Sequence, residues 1–243
     1  MNLYAKSMAQ CRFMACLILL DDRSIIYCMQ LTTEQTSTLP RRRGRPPKDV
    51  ADFNETRAAL LRAGIEVLTE KGFSATGIDE ILRRVGVPKG SFYHFFASKE
   101  AFGAALVDRY ADYFANKLTR FLDDETRSPL GRLQSFIADA RGGMQRHAFQ
   151  RGCLVGNLGQ EMGALPASFR QQLLAVFEDW QQRVALCLDA ARQAGEISAD
   201  ADCQRLAQIF WIGWEGAILR AKLEASPVAI DLFSEFFFAG LRR

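Results

Sequence analysis

Histidine is scarce in this chain, net charge is small and long apolar runs are missing. Two histidines among 243 residues leave little for a histidine-based metal site or a repeated acid–base centre. There is no glycine-rich phosphate loop. The six cysteines show no C-x-x-C spacing: Cys11, Cys16 and Cys28 lie near the start, and Cys153, Cys187 and Cys203 are far apart. That spacing excludes a disulfide framework and a zinc site, and points to a reducing, cytoplasmic compartment. The apolar run FMACLILL is eight residues long, against roughly 20 for a membrane-spanning helix. Asp21, Asp22 and Arg23 follow it, with no small-residue cleavage site, which argues against a signal peptide. Residues 1–28 read as an unstructured leader or an over-called translation start. Met29 begins a polar arm that carries the leader to residue 40. Sustained strand alternation is missing too. No cofactor and no metal is expected.

What is present is helical. Apolar residues make up 49% of the chain, enough for a buried core, and they recur with a 3.6-residue period, so the fold class is all-α. The net charge of +3 is unevenly placed. Residues 41–100 carry 12 lysines and arginines against 8 acidic residues, whereas residues 101–243 carry 16 against 17. The basic part has the charge of a nucleic-acid reader, and the near-neutral remainder suits sensing and pairing. The expected organisation is a leader (1–40), a DNA-binding domain with a basic arm (41–101) and a ligand-binding and dimerisation domain (102–243).

The segment TGIDEILRRVGVPKGSFYHFFASK, residues 76–99, parses as helix, tight turn, helix. Thr76 is the expected N-cap, with Asp79 three residues on, close to a capping box. Ile78, Ile81, Leu82 and Val85 repeat at helical spacing. Gly86 stops the first helix because it tolerates a left-handed backbone, and Pro88 opens the second. Phe92, Phe95 and Phe96 share one inward face. Lys89, Gly90, Tyr93 and His94 lie toward the other side, and they supply a cation, bare backbone, a phenol and an imidazole for phosphates and base edges. Thr76, Ser91 and Lys99 complete the DNA-contacting set expected of this motif.

Upstream, PRRRGRPPK (residues 40–48) cannot form a helix and favours an extended backbone. Its core resembles an AT-hook, so Arg41, Arg42, Arg43 and Arg45 are candidates for an A·T-rich minor groove. The plainer alternative is a solvated basic linker that raises general affinity. Between arm and motif, Asp52 to Lys71 reads as the first ordered helix, ended by Gly72. Ser98 caps a helix from Lys99 to about Leu122 that joins reader to sensor without a flexible linker. Further helices are expected at roughly 128–147, 152–162, 168–194, 201–224 and 227–241. The two longest carry wide apolar faces: Leu173, Leu174, Phe177, Trp180, Val184 and Leu188 on one, Leu206, Ile209, Phe210, Ala217, Ile218 and Ala221 on the other. They are the expected dimer interface.

The run VPKGSFYHFFASKEAF, preceded by GIDEIL, resembles the TetR family of one-component transcriptional regulators. The resemblance implies a ligand-responsive repressor that binds a palindromic double-stranded operator as a homodimer, pairs through a four-helix bundle, and shifts the helix after the motif when ligand binds. RGCLVGNLGQEMGALP (151–166) and FWIGWEGAILRAKLE (210–224) extend the likeness to acrylate-responsive members, and the G-C-L element to sensors of reactive electrophiles. It therefore implies release by acrylate or a related α,β-unsaturated acid or thioester.

Cys153 is the cysteine of that element. Near Arg151 and His147, in the first turn of a helix, its thiol pKa would fall, and a thiolate would add to activated alkenes. The alternative is a small buried hydrophobe. Asn157, Gln160 and Glu161 on the same helix are candidate polar pocket groups, with Trp211, Trp214 and Glu215 facing them. Arg151 or Arg220 would meet an acid. A covalent or redox sensor acting through Cys153 is the second reading. An enzyme using Cys153 and His147 is the third, and it lacks an evident triad partner.

Overall fold

The computed structural model describes residues 50–241, and every regular element among them is helical: α1 (Val50–Lys71), α2 (Ile78–Val85), α3 (Lys89–Phe95), α4 (Lys99–Leu122), α5 (Pro129–Arg146), α6 (Leu154–Gln160), α7 (Ser168–Gln193), α8 (Cys203–Glu224) and α9 (Val228–Leu241). The leader and the basic arm with Arg41, Arg42, Arg43 and Arg45 lie outside the described residues.

Helices α1 to α3 form a three-helix reader. Leu60, Val67 and Leu68 of α1, Ile81 and Leu82 of α2, and Phe92 and Phe96 of the last segment are all buried. Phe92 and Phe96 pack on Phe102 of α4, with ring centroids 5.4 and 4.7 Å away. Phe95 is half-buried against Phe53, centroids 4.5 Å apart. Gly86 takes the left-handed conformation (φ 71°) that closes α2, and Val87 N–H returns to Leu82 O at 3.0 Å.

One local expectation is corrected here. Thr76 does not cap α2: Gly77 holds the N-cap position, without a side-chain hydrogen bond. The Thr76 hydroxyl instead donates to Gly72 O at 2.6 Å, fully buried. The end of α1 leaves that carbonyl without a helical partner, and an interior carbonyl is costly to leave unpaired. Asp79, freed from any capping box, pairs with Lys89 at 3.0 Å.

Helix α4 passes from reader to sensor as the periodicity indicates, and Ser98 caps it by accepting from Ala101 N–H at 3.1 Å. Its first half buries Phe102 and Leu106 beneath the reader. Its second half enters an aromatic core, with Phe114 4.4 Å from Trp180 and Trp180 4.9 Å from Trp211. Helices α7 and α8 pack along each other, and α9 folds back on α8.

Exposure divides the apolar stripes of the two expected pairing helices. Leu173, Trp180, Val184 and Leu188 of α7 are buried within the chain itself. The large apolar side chains left exposed concentrate on α8 and α9: Ile209, Ile212, Leu219 and Leu223, then Val228, Leu232 and Phe236. Wide apolar stripes on α7 and α8 do not reveal which side meets the rest of the chain. Only the helix packing does.

Candidate functional site

Two surfaces carry the chemistry. The first is the outward side of α3. Lys89, Gly90, Tyr93 and His94 are exposed, Tyr93 by 59%, and Ser91 is half-buried. A tyrosine standing this far out of water's shelter beside a lysine suits a phosphate backbone and base edges. Lys99 lies over the Phe73 ring at 4.5 Å, half-buried, so it faces the reader's interior edge. Thr76, 2% exposed, drops out of the DNA-facing set for the reason given above.

The second is a cavity of about 260 Å³ where α1, α4, the end of α5, the start of α6 and α8 meet. Ile65 and Thr69 of α1 form one side, Tyr110, Tyr113 and Phe114 of α4 another, and Met144, Cys153, Trp214 and Ile218 close it. Lys117, Arg146, His147 and Arg151 add cationic and polar groups. Arg151 is tied to Glu70 at 3.1 Å and Glu66 at 3.6 Å. Arg220 is not on this wall. It is exposed and paired with Glu224 one turn on.

Of the six residues grouped with Cys153 as effector contacts, only Trp214 lines the cavity. Trp211 is sealed in the aromatic core between Trp180 and Phe210. Glu215 stands behind Cys153. Asn157, Gln160 and Glu161 face a separate cleft beside the end of α1, together with Lys222 and Leu223. The residues that sequence reasoning missed, Ile65, Thr69, Tyr110 and Tyr113, come from helices assigned to other jobs. Only the closely spaced tyrosines in an apolar stripe hinted at a wet wall.

The thiolate expectation is overturned. Cys153 is the N-cap of α6 and its sulfur accepts from Gly156 N–H at 3.4 Å. Burial, reinforced by the neighbouring Glu215 carboxyl, nevertheless pushes its thiol pKa well above the ordinary value. Burial likewise lifts Glu215 from 4.5 to about 7, opposed by its hydrogen bond with Cys153. One Glu215 oxygen is buried without a partner. The carboxyl reaches this position because residue 156 is glycine: a Cβ there would overlap it. Tyr110 completes the cluster, its phenol held neutral chiefly by burial and then by Cys153 and Glu215. A buried thiol whose pKa is raised in this way is disfavoured as a thiolate, so Cys153 lacks the activation expected of it.

A helix-turn-helix reader joined through α4 to a helical domain, with a partly open cavity at their junction, defines a DNA-binding regulator. Residues 60–106 match the family of bacterial regulatory proteins described as the tetR family, and residues 129–237 match the tetracyclin repressor-like C-terminal domain. The transcriptional regulator AcuR of Cereibacter sphaeroides is 52% identical, over 84% of this chain and 94% of that protein. The transcriptional repressor DhaR of Mycobacterium sp. strain GP1 is 32% identical, over 76% of this chain and 91% of that protein. The crystal structure of a regulatory protein TetR from Rhodobacter sphaeroides superposes with a TM-score of 0.75 at 54% identity, covering 76% of this chain and 97% of that one. The chain belongs to the TetR family. It is a DNA-binding transcriptional repressor and not an enzyme. No helix among the described residues is long and apolar enough to cross a membrane.

The reading surface has a direct test. Lys89→Ala and Tyr93→Ala are expected to weaken operator binding about tenfold each, a loss of one phosphate or base contact, while circular dichroism and melting stay unchanged. Unaltered affinity of both variants at physiological salt would reject the assignment of α3.

Proposed function

We propose that this repressor grips an inverted-repeat operator as a homodimer in the cytoplasm, and lets go when acrylate or a related α,β-unsaturated acid or thioester enters the cavity beside Cys153. Within the wider organisation, residues 41–101 read DNA and residues 102–243 sense and pair. The basic arm adds phosphate or minor-groove contacts through Arg41, Arg42, Arg43 and Arg45. The observation that carries the reading is that Ile65 and Thr69 of the reader's own α1 help wall the cavity. Whatever fills it presses on the DNA-binding part without an intermediary. Lys117, paired with Asp139 at 2.6 Å, and Arg151, paired with Glu66 and Glu70, line the cavity. An acid would meet them by exchanging with those carboxylates, and the apolar lining suits a short unsaturated chain. The resemblance to acrylate-responsive members of the family supports the choice of ligand.

Capture is read as non-covalent: Cys153 is buried, and burial raises its thiol pKa, which disfavours the nucleophilic thiolate. The pairing face is that of α8 and α9. Ile209, Ile212, Leu219 and Leu223 fall on one side of α8, and Val228, Leu232 and Phe236 follow on α9. Large apolar side chains grouped in this way on neighbouring helices suit a protein–protein contact, and two-fold pairing places two α3 helices on two half-sites.

The experiment is a gel shift on operator DNA selected from a random duplex library, with and without acrylate, acryloyl thioester and propionate, for wild type and Cys153→Ser. Acrylate or the thioester is expected to release both proteins, and intact mass after incubation is expected to be unchanged. A mass increase accompanied by loss of response in Cys153→Ser would replace capture with covalent sensing. No release by any of the three compounds would remove the effector and leave the repressor.

A further inference from the structure

Asn157 and Glu161, which turn away from the cavity, meet Lys222 at the end of α1. The last carbonyls of a helix have no partner within it. Here Leu68 O keeps Gly72 N–H at 2.9 Å and Thr69 O takes Gly152 N–H at 3.1 Å, and side chains of the sensor add to these. Asn157 Nδ2 donates to Leu68 O and Thr69 O, both at 3.1 Å. Lys222 Nζ donates to Thr69 O at 3.0 Å and Glu70 O at 2.7 Å. On the other side of the turn the polarity reverses. The N–H groups of Phe73 and Ser74, which lead toward α2, donate to the two oxygens of the Glu161 carboxylate at 2.9 and 2.7 Å. Between them Gly72 has φ +83°, and a Cβ on it would overlap that carboxylate.

The matching of charge is complete. An ammonium and an amide meet the negative end of the α1 dipole, and a carboxylate meets exposed amides. Such bonds depend steeply on distance and angle, so they hold one position of α6 rather than a range. Helix α6 has its N-cap, Cys153, in the cavity wall and its C-cap, Glu161, on the reader. Eight residues at 1.5 Å rise separate the two ends by about 12 Å.

We propose that Asn157, Glu161 and Lys222 are positioning residues that clamp α1 to α6 and α8 in the operator-binding orientation, and that displacement of α6 at its Cys153 end opens the clamp. This route runs beside α4, and it rests on the cavity being the effector site. It gives the three polar groups a role in transmission rather than in recognition.

The test uses the full chain with Glu161→Ala, Asn157→Ala, their combination, and Glu161→Gln, which keeps one acceptor oxygen. Operator affinity without ligand is expected to fall about tenfold in the double variant, within the usual range for coupling between sites. Release by acrylate is expected to shrink to under about twofold, because most of the clamp is already open. Acrylate affinity, read from tryptophan fluorescence through Trp214, is expected to rise by up to about the tenfold lost in operator affinity, because the ligand no longer has to open the clamp. Amide exchange at Phe73 and Ser74 should quicken, and Glu161→Gln should recover part of every effect. A folding defect would instead lower the melting temperature and weaken acrylate binding with it.

Normal operator affinity and normal exchange in the double variant would overturn the clamp, whichever ligand is used. Should wild type ignore acrylate, the effector reading fails alone. The ligand-free operator affinity and the exchange rates then decide for or against the clamp.

Discussion

Ile212→Glu combined with Phe236→Glu is expected to produce a monomer that no longer binds operator. The two side chains are 74% and 79% exposed in the chain taken alone, so a carboxylate at either costs the isolated fold little. In the proposed dimer both enter a dry interface, where an unpaired charge is expensive. Sedimentation should report half the mass, with the helical spectrum and melting profile retained. Operator affinity should fall by about a thousandfold or more, to the level of non-specific binding, because one α3 reads only one half-site. A variant that sediments as a dimer with unaltered operator affinity would move the pairing surface elsewhere. The natural alternative is the one the sequence pointed to, α7 together with α8, where Leu174 of α7 is exposed.

The second large effect concerns Glu215. Its folded pKa of about 7 exceeds the ordinary 4.5 because burial disfavours the carboxylate. An acid raised in this way contributes its full stability below pH 4.5, where folded and unfolded chains are both protonated. That contribution declines as pH climbs through about 7. At 1.36 kcal/mol per pH unit, the gap amounts to about 3 kcal/mol lost by alkaline pH. Glu215→Gln keeps the shape and cannot ionise. It is expected to match wild type near pH 5 and to exceed it by about 2–3 kcal/mol near pH 8, measured by urea unfolding at both values. An equal offset between the two proteins at both pH values would show that Glu215 does not titrate with folding. The unpartnered oxygen makes the same point structurally: a buried carboxyl with an idle acceptor is better neutral.

Much of the architecture was legible before any coordinates. The helix-turn-helix could be read because its signals are local. Gly86 and Gly72 end helices by taking positive φ, Ser98 caps by one short hydrogen bond, and Phe92 and Phe96 point inward by the 3.6-residue period alone. All-α composition and the order of the helices follow in the same way. Family membership was legible too, because the motif around Lys89–His94 keeps residue types and spacing together. Thr76 shows the limit of local reasoning. A threonine before a helix caps it in most settings, but here a buried carbonyl of α1 competes for the hydroxyl and wins.

The interior arrangement was decided elsewhere. Sequence spacing puts Asn157 and Glu161 on the same short helix as Cys153, but not on the side that the cavity occupies. The cavity wall draws Ile65 and Thr69 from the reader and Tyr110 from the connecting helix, residues separated from Cys153 by more than 40 positions. The state of the Cys153 thiol depends on burial and on a carboxyl 62 positions away, neither of which has any signature in the residues beside it. The chain by itself determined periodicity, caps and motif, since those depend on neighbours within a few residues. Only the tertiary structure decided which side of α7 and α8 is inward, which polar groups hold α1, and in which direction burial moves the Cys153 thiol pKa. Those outcomes are set by packing and dielectric, which act through space between segments that the sequence keeps far apart.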